Sequence, residues 1–573
     1  MTALTELLRA TADRHPDRIA VAEGQSELTY AELSAATAHT AARLRVQVPG
    51  GGPVLLALAP GATWVTALLS SWHAGRPAVP VDVTHPPARL RQITTVCRAT
   101  AVLTTTGTPP GWADGLTTLA PATLPLPSGI TPPDVCADEE TAACIWHTSG
   151  STGAPKPVLV SHRAVAARAA VLPCWSGLTP SDRIAQLTAP TFDAVLWEVL
   201  GALTTGARLQ IASPRERVPG PALPRFLAEH EITAFTGTPT YLAAAPFTEL
   251  PRLRRIVLGG EALHPGPLDQ WISRYDVANA YGPTETCVDA IVAQHVCPGE
   301  DPVPIGRPLP GVRAWVLDDR QQPVPAGQAG ELCLGGQGLA TGYLDRPEET
   351  AHAFPLLHLP GTGGEERVYR TGDRVRQRPD GQYVFLGRID SQLNLGGVRL
   401  EPAEVEQAAT QLPGVRAAAL LSDQGESDRP RLVLHVETDD PSLTSRLRAQ
   451  LADRLPPTAV PALITAHPIL PRTTSGKIDR RALARSTSEP ATPETGAGGP
   501  VLPDDVAAWW REQTGTETDG LRDFFAAGGD SLGALLLLQL VNERYGTEIA
   551  LHAFYADPTP RFLSATLNSG STP

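Results

Sequence analysis

The 573-residue sequence carries 47 basic side chains, yet only two of them, Lys156 and Lys477, are lysines; the other 45 are arginines. An ammonium is a compact point charge, whereas a guanidinium is planar and fork-shaped. A position that keeps lysine against so strong a drift is one that needs the point charge. Lys156 closes the run "HTSGSTGAPK", in which six of the seven residues Thr148 to Ala154 are Gly, Ser or Thr. Small residues let backbone N–H groups approach phosphate oxygens closely, and the hydroxyls add donors. The GxxxxGK[ST] spacing is absent, so this is not a Walker loop. The glycines alone would also suit a plain turn. Lys477 lies in "LPRTTSGKIDRRAL", Leu470 to Leu483. A third group is Ser531, within "DFFAAGGDSLGALLLLQLVNERYG". It opens an apolar-periodic run ending at Gly546, which puts its hydroxyl at a helix N-terminus.

The elements that must hold these groups follow from pattern and composition. At this length several folding units are expected. A charged fraction of 19% beside 42% apolar residues is a globular composition. The formal charge of −13 argues against non-specific nucleic-acid binding. Seven cysteines without a CxxC pair read as free thiols rather than a zinc site or a disulfide frame. The N-terminal stretch reads as an amphipathic helix without a secretion signal, and "ALLLLQL" is too short to span a bilayer. A cytoplasmic location with no membrane partner is the expectation. To about Arg388, helical patterns alternate with short apolar strands such as "RRIVLGG" and "ELCLGG", an α/β rhythm. A smaller mixed segment follows, with a helix near "EPAEVEQAATQL" and strands near "RAAALL" and "RLVLHVE". The stretch Arg485 to Pro500 is rich in Ser, Thr, Pro and Gly and reads as a linker. Beyond it lies a small helical unit with ten acidic residues and four arginines.

The motifs stand in an order that resembles the adenylate-forming enzymes, specifically the amino-acid adenylation domain of non-ribosomal peptide synthetases. They run from "LTYAEL" and "AGRPAVPVDVTHPPARL" through "TSGSTGAPK", "FDAVLWE", "NAYGPTE", "GELCLGGQGLATGYL", "YRTGDR" and "GRIDSQLNLGG" to "PRTTSGKIDRRAL". The C-terminal "GGDSL" resembles a peptidyl carrier domain. The implied fold is α/β and multidomain. A large N-terminal subdomain spans 1–389, a small α+β subdomain 390–484, the linker 485–500 and a four-helix carrier domain 501–573.

The resemblance implies roles for individual residues. Catalysis would fall to Lys477, Thr148, Ser149, Lys156, Thr284 and Glu285. Lys477 would bridge the substrate carboxylate and the phosphate, and Glu285 would hold Mg²⁺. ATP would meet Gly150, Ser151, Thr152, Gly153, Asn279, Tyr281, Asp373 and Arg388, with Tyr281 on the adenine and Asp373 on the ribose. Asp390 matches the hinge, and Ser531 matches the serine that carries 4'-phosphopantetheine. Asp193 matches the anchor of an α-amino group, which favours an amino acid over a fatty or aryl acid. The rest of the pocket would be Ala194, Trp197, Thr236, Val257, Gly259, Ala280, Val288 and Asp289. A buried carboxylate is costly unless paired, so Asp289 points to an arginine-like or polar aromatic substrate, or else bonds to protein.

The implied activity is ATP-dependent activation of an amino acid and its loading on the chain's own carrier. A stand-alone didomain of this kind would supply a tailoring or condensation enzyme in trans, in secondary-metabolite biosynthesis such as that of antibiotics. A phosphopantetheinyl transferase is implied as a partner, and the family admits a small MbtH-like helper. The alternatives are an acyl-CoA ligase and a catalytically silent carrier scaffold. Four residues depart from the family pattern: His147, Pro157, Asn394 and Gly396.

Overall fold

The structure is a computed structural model and describes residues 4–48, 50–124, 138–148, 155–390, 392–395, 397–424, 430–473, 478–486, 502–516, 523–525, 527–529, 531–547, 549 and 551–569. The chain forms two compact units, one running to Asp390 and the other taking in the chain beyond it. They are described in turn.

In the first unit six parallel strands lie side by side. They are Ile19–Glu23, Arg208–Ile211, Arg183–Gln186, Ala234–Gly237, Arg255–Gly259 and Asp276–Tyr281. The antiparallel strands Ser26–Thr29, Ile291–Ala293 and Arg307–Pro308 complete a nine-stranded sheet. Strand Arg183–Gln186 has its two sequence successors on opposite sides, Arg208–Ile211 on one and Ala234–Gly237 on the other. The order therefore reverses at its carboxyl end, where open α/β sheets bind their ligands. A seven-stranded sheet contains Ala142–Thr148, Lys156–Ser161 and Gly342–Tyr343, and a five-stranded sheet contains Ala329–Gly336, Glu365–Gln377 and Tyr383–Arg388.

The early motif "LTYAEL" serves this scaffold. Thr29 caps helix Tyr30–Gln47 by accepting from the Glu32 backbone N–H, while the Glu32 carboxylate accepts from the Thr29 N–H at 2.8 Å. This reciprocal box satisfies two helix-end donors at once. Tyr30 is buried, and its hydroxyl lies 2.7 Å from the Ala207 carbonyl oxygen and 2.9 Å from that of Ala202. Thr29→Ala is expected to cost about 1 kcal/mol. The measurement is the urea midpoint beside that of Thr29→Ser, which keeps the cap; equal midpoints for the two would refute it.

The second unit has an α+β part and a helical part. Strands Ala417–Gln424, Pro430–Glu437 and Leu463–His467 form a sheet accompanied by helices Pro402–Thr410, Leu443–Ala452 and Arg480–Ser486. Four helices follow: Asp504–Thr514, Ser531–Tyr545, Leu551–Ala556 and Pro560–Ser569. The large α/β domain, the small subdomain and the helical C-terminal region are thus the architecture read from the sequence. Among the described residues no helix is long and apolar enough to cross a membrane.

Candidate functional site

Asp193 lies in the loop that leaves the switch-point strand Arg183–Gln186, just before helix Val195–Thr205. Glu198, fully buried on that helix, fixes the loop. Its Oε1 accepts from the backbone N–H of Leu187 at 3.0 Å and of Thr188 at 2.9 Å. The Thr188 hydroxyl and the Gln186 amide also donate to its carboxylate. Burial pushes the Glu198 carboxyl up to about 7 in spite of these donors. The Thr284 hydroxyl and the backbone N–H groups of Val288 and Ala194 favour the charged form of Asp193. Its Oδ2, however, is sealed from solvent with no hydrogen-bond partner. Burial, with the Glu285 charge adding to it, pushes the Asp193 carboxyl up to about 6. A buried oxygen that wants a donor, on a group that wants a positive neighbour, is a site for an ammonium.

The pH consequence follows from that direction. Below about pH 6 the Asp193 carboxyl of the free protein is protonated and offers no charge to an incoming ammonium. Amino-acid-dependent kcat/KM should therefore fall towards tenfold per pH unit on the acid side and level off above neutrality. A profile flat from pH 5 to 8 would contradict it.

The remaining pocket candidates converge on the same place. Thr236 is in register with Val257, and Gly259 with Ala280, so all four stand on one face at the carboxyl ends of adjacent strands. Trp197, Val257, Ala280 and Val288 share one buried cluster, and the Trp197 indole N–H is buried without a partner. The Thr236 hydroxyl is spent on the Val257 carbonyl at 3.1 Å. A Cβ at Gly259 would come within 2.7 Å of the Ala280 carbonyl oxygen, so glycine is what fits. Cys287 and Val288 both sit at positive φ, 61° and 69°. Two consecutive non-glycine residues in this region hold backbone strain where the chain turns to present Val288 and Asp289. Asp289 is buried, which pushes its carboxyl up to about 7, and the nearby Arg168 guanidinium opposes that rise.

The residues expected around a nucleotide also lie together. The Tyr281 hydroxyl donates to Asp373 Oδ2 at 2.5 Å, and burial with the Asp373 charge holds the phenol well above its ordinary range. Strand pairing sets Asp373 against Arg388, whose Nη1 donates to Asp373 Oδ1 at 2.7 Å. The same guanidinium grips the hinge candidate Asp390 with two further bonds of 2.6 and 2.5 Å. Asn279 is buried and spends its amide on the Pro304 carbonyl at 2.9 Å.

Glu285 and Lys156 meet through a residue to which the motif reading gives no role. The Tyr343 hydroxyl donates to Glu285 Oε1 at 2.9 Å, and Lys156 Nζ stands 4.1 Å from the centre of the Tyr343 ring. A cation over an aromatic face is held without being neutralised. Strand Gly342–Tyr343 pairs with Lys156–Ser161, and just before it the Ala340 N–H donates to the Glu285 carbonyl at 2.8 Å, which brings the three together. One buried carboxylate held by Tyr343 suits Mg²⁺, which takes one or two carboxylates and fills its shell with phosphate and water oxygens. Thr148 and Lys156 face each other at the neck of the phosphate loop. The next pair inward is His147 with Pro157, so these two departures from the family pattern are cross-strand neighbours. Ser149, Gly150, Ser151, Thr152, Gly153, Gly396 and Lys477 lie outside the described residues.

In the second unit, Ser531 is the first residue of helix Ser531–Tyr545. Just upstream, Asp523 pairs with Arg448 of helix Leu443–Ala452, and the Arg448 guanidinium stands 5.1 Å from the centre of the Phe525 ring. The Arg448 and Asp523 side chains are 13% and 30% exposed.

Residues 8–344 match the family model for the AMP-binding enzyme, residues 404–477 that for the AMP-binding enzyme C-terminal domain, and residues 504–567 that for the phosphopantetheine attachment site. The chain is similar to phosphinothricin tripeptide synthetase PhsC of Streptomyces viridochromogenes, with 35% identity over 585 residues covering 98% of this chain and 53% of that protein. It is also similar to isonitrile lipopeptide synthase of Mycobacterium tuberculosis, with 34% identity over 583 residues covering 100% of this chain and 23% of that protein. The chain thus spans about half the length of the first relative and about a quarter of the second. Among solved structures it is similar to holo-PA1221, a non-ribosomal peptide synthetase protein containing adenylation and PCP domains bound to a vinylsulfonamide inhibitor. The TM-score is 0.79 at 25% identity, over 99% of this chain and 96% of that one. It is likewise similar to NpsA-ThdA, an artificially fused adenylation–PCP di-domain from Klebsiella oxytoca. There the TM-score is 0.71 at 26% identity, over 81% of this chain and 93% of that one.

Proposed function

The chain belongs to the AMP-binding enzymes, with the adenylation and carrier modules of a non-ribosomal peptide synthetase joined in one polypeptide, and on that premise we propose that it activates one α-amino acid and loads it on Ser531. The observation that carries the amino-acid reading is the sealed, unpartnered Oδ2 of Asp193 at the switch point of the sheet. An acyl-CoA ligase acting on a fatty or aryl acid would leave that charge without a counter-charge.

In the proposed reaction the substrate carboxylate attacks the α-phosphorus of ATP and pyrophosphate departs. Asp193 holds the ammonium, so the carboxylate is presented towards the phosphate loop. Lys156 and the loop donors Thr148 to Gly153 meet the phosphate charge, and Lys477 is assigned to the attacking carboxylate and α-phosphate. Glu285, set by Tyr343, and Thr284 complete this end of the site. Mg²⁺ held by Glu285 would supply neutralisation of phosphate charge. Tyr281, Asp373 and Arg388 receive the adenosine. The phosphopantetheine that Ser531 would carry supplies the accepting thiol, and AMP leaves as the acyl group passes to sulfur. Asp390 is the assigned pivot between the two half-reactions, and the Arg388 fork is what a rotation there must release.

The substrate side chain is polar in this reading, because Asp289 and the free Trp197 N–H lie at the pocket. Arg168 already supplies Asp289 with a positive neighbour in the protein, which favours the polar aromatic option over the arginine-like one. The loaded amino acid then passes to a condensation or tailoring enzyme.

The test is amino-acid-dependent ATP–pyrophosphate exchange, with and without an added MbtH-like protein. Loading of the holo carrier is then compared with transfer to free coenzyme A. Transfer to coenzyme A at the rate of carrier loading would sink the proposal in favour of the ligase reading. A folded, helper-supplied protein silent with every amino acid would favour the scaffold.

A further inference from the structure

Helix His162–Ser176 buries a guanidinium beside the pocket. Arg168 is 3% exposed, and its Nε and Nη1 are sealed with no hydrogen-bond partner. Its Nη2 reaches the wall made by Thr286 and Gly338; a Cβ at Gly338 would come within 2.9 Å of Nη2 and 3.1 Å of the Thr286 carbonyl oxygen. The segment Thr286 to Asp289 is therefore its neighbour, and the charges of Arg168 and Asp289 act on each other. Among the described residues no direct ion pair within 4 Å joins the two. A buried guanidinium with two of its three nitrogens unpartnered is a costly arrangement. Asp289, 8% exposed, feels Asp193 as well as Arg168, and so stands electrostatically linked to both.

We infer that Arg168 determines substrate specificity, and that the side chain it admits is uncharged and ends in a group that both accepts and donates a hydrogen bond. This rests on the amino-acid adenylation reading and names the substrate class of that site. The unpartnered N–H groups of Arg168 require an acceptor, and neither a guanidinium nor an alkyl or phenyl group has one. The Asp289 carboxylate requires a donor and repels an anion. A cationic side chain would meet Arg168 as a like charge, and an anionic one would meet Asp289 so. A phenol, an alcohol or a carboxamide satisfies both partners and leaves the charge of the Arg168–Asp289 pair balanced. Asp193 stays free for the α-ammonium. Such a site rejects isosteres lacking the polar group far more strongly than an apolar pocket can reject an added one, because its own buried groups are left unpaired.

The experiment is ATP–pyrophosphate exchange of the full-length protein with a panel that pairs each polar amino acid with an isostere. Tyrosine is set against phenylalanine, glutamine against glutamate and methionine, and threonine against valine, with arginine and leucine added. The wild type should prefer one neutral polar member over its isostere by about 10²-fold or more in kcat/KM. Arg168→Leu should bring that ratio to within a few-fold, acting mainly through KM, and Arg168→Lys should restore part of it. A merely structural arginine would lower all substrates alike and leave the ratio unchanged, and that result overturns the inference. So does a wild-type preference for arginine, glutamate, phenylalanine or leucine, which requires no variant to fold. A folded, helper-supplied wild type silent with this panel and with every other amino acid overturns the adenylation reading and this inference together. Exchange with a charged or purely apolar side chain overturns the inference alone.

Discussion

Changing Ser531 to alanine is expected to leave amino-acid-dependent ATP–pyrophosphate exchange at its wild-type rate and to abolish covalent loading. The two activities separate because they draw on different residues. Asp193, Glu285, Lys156, Tyr281 and Asp373 all lie in the unit that ends at Asp390, whereas Ser531 opens a helix far beyond it. Exchange needs only the reversible first half-reaction, in which Ser531 takes no part. Loading needs a hydroxyl to which the arm is attached, and alanine has none. The loss is therefore complete rather than graded, below the detection limit of intact-protein mass spectrometry after treatment with a phosphopantetheinyl transferase and coenzyme A. A mass increase of the arm on the alanine protein would show that another residue is modified. A matching fall in exchange would show that the carrier serves the adenylation step as well.

Asp193→Ala should lower kcat/KM for the amino acid by about 30-fold to several thousand-fold, while leaving KM for ATP within a few-fold. Truncating one partner of a buried, hydrogen-bonded charge pair costs about 2–5 kcal/mol, of which each 1.4 kcal/mol is a factor of ten. The geometry places this change at the upper part of that range. Oδ2 has no other partner, and Thr284, Val288 and Ala194 lose the charge they favour along with it. Asp193→Asn keeps the shape and some hydrogen bonding but not the charge, so it should fall between the alanine variant and the wild type. The check is a steady-state exchange series over amino-acid concentration for the three proteins. If the alanine variant keeps the wild-type kcat/KM for the amino acid, Asp193 is not the ammonium anchor.

Whether a residue's role is legible in the sequence depends on how local that role is. Lys156 is marked by its rarity and its loop, and Asp193 by the motif around it. The order of motifs yields the α/β body, the small subdomain and the helical C-terminal region. Tyr343 carries no such mark, because its partner Glu285 is 58 residues away and the two meet only once the chain folds. Glu198 belongs to a motif, but its work on Leu187 and Thr188 emerges once the helix folds back on its own loop. Arg168 is invisible for a statistical reason. In a chain with 45 arginines nothing in the sequence separates a buried guanidinium from a solvated one. His147 and Pro157 each stand out as departures, but the register that makes them neighbours is a property of the sheet.

The contact of Arg448 with Asp523 and Phe525 bears on effective concentration. A carrier held by a linker alone samples its surroundings at a local concentration on the order of millimolar, shared among all the surfaces it can reach. Here the turn just before Ser531 is also seated on the small subdomain, whose Leu443, Leu447 and Leu451 belong to the same apolar cluster as Phe525, Phe554 and Tyr555. The first surface the carrier meets is therefore one it already occupies, and every delivery elsewhere competes with that seat. Because the ion pair is partly exposed, added salt is expected to screen it. Ionic strength should then shift how often the carrier leaves this seat.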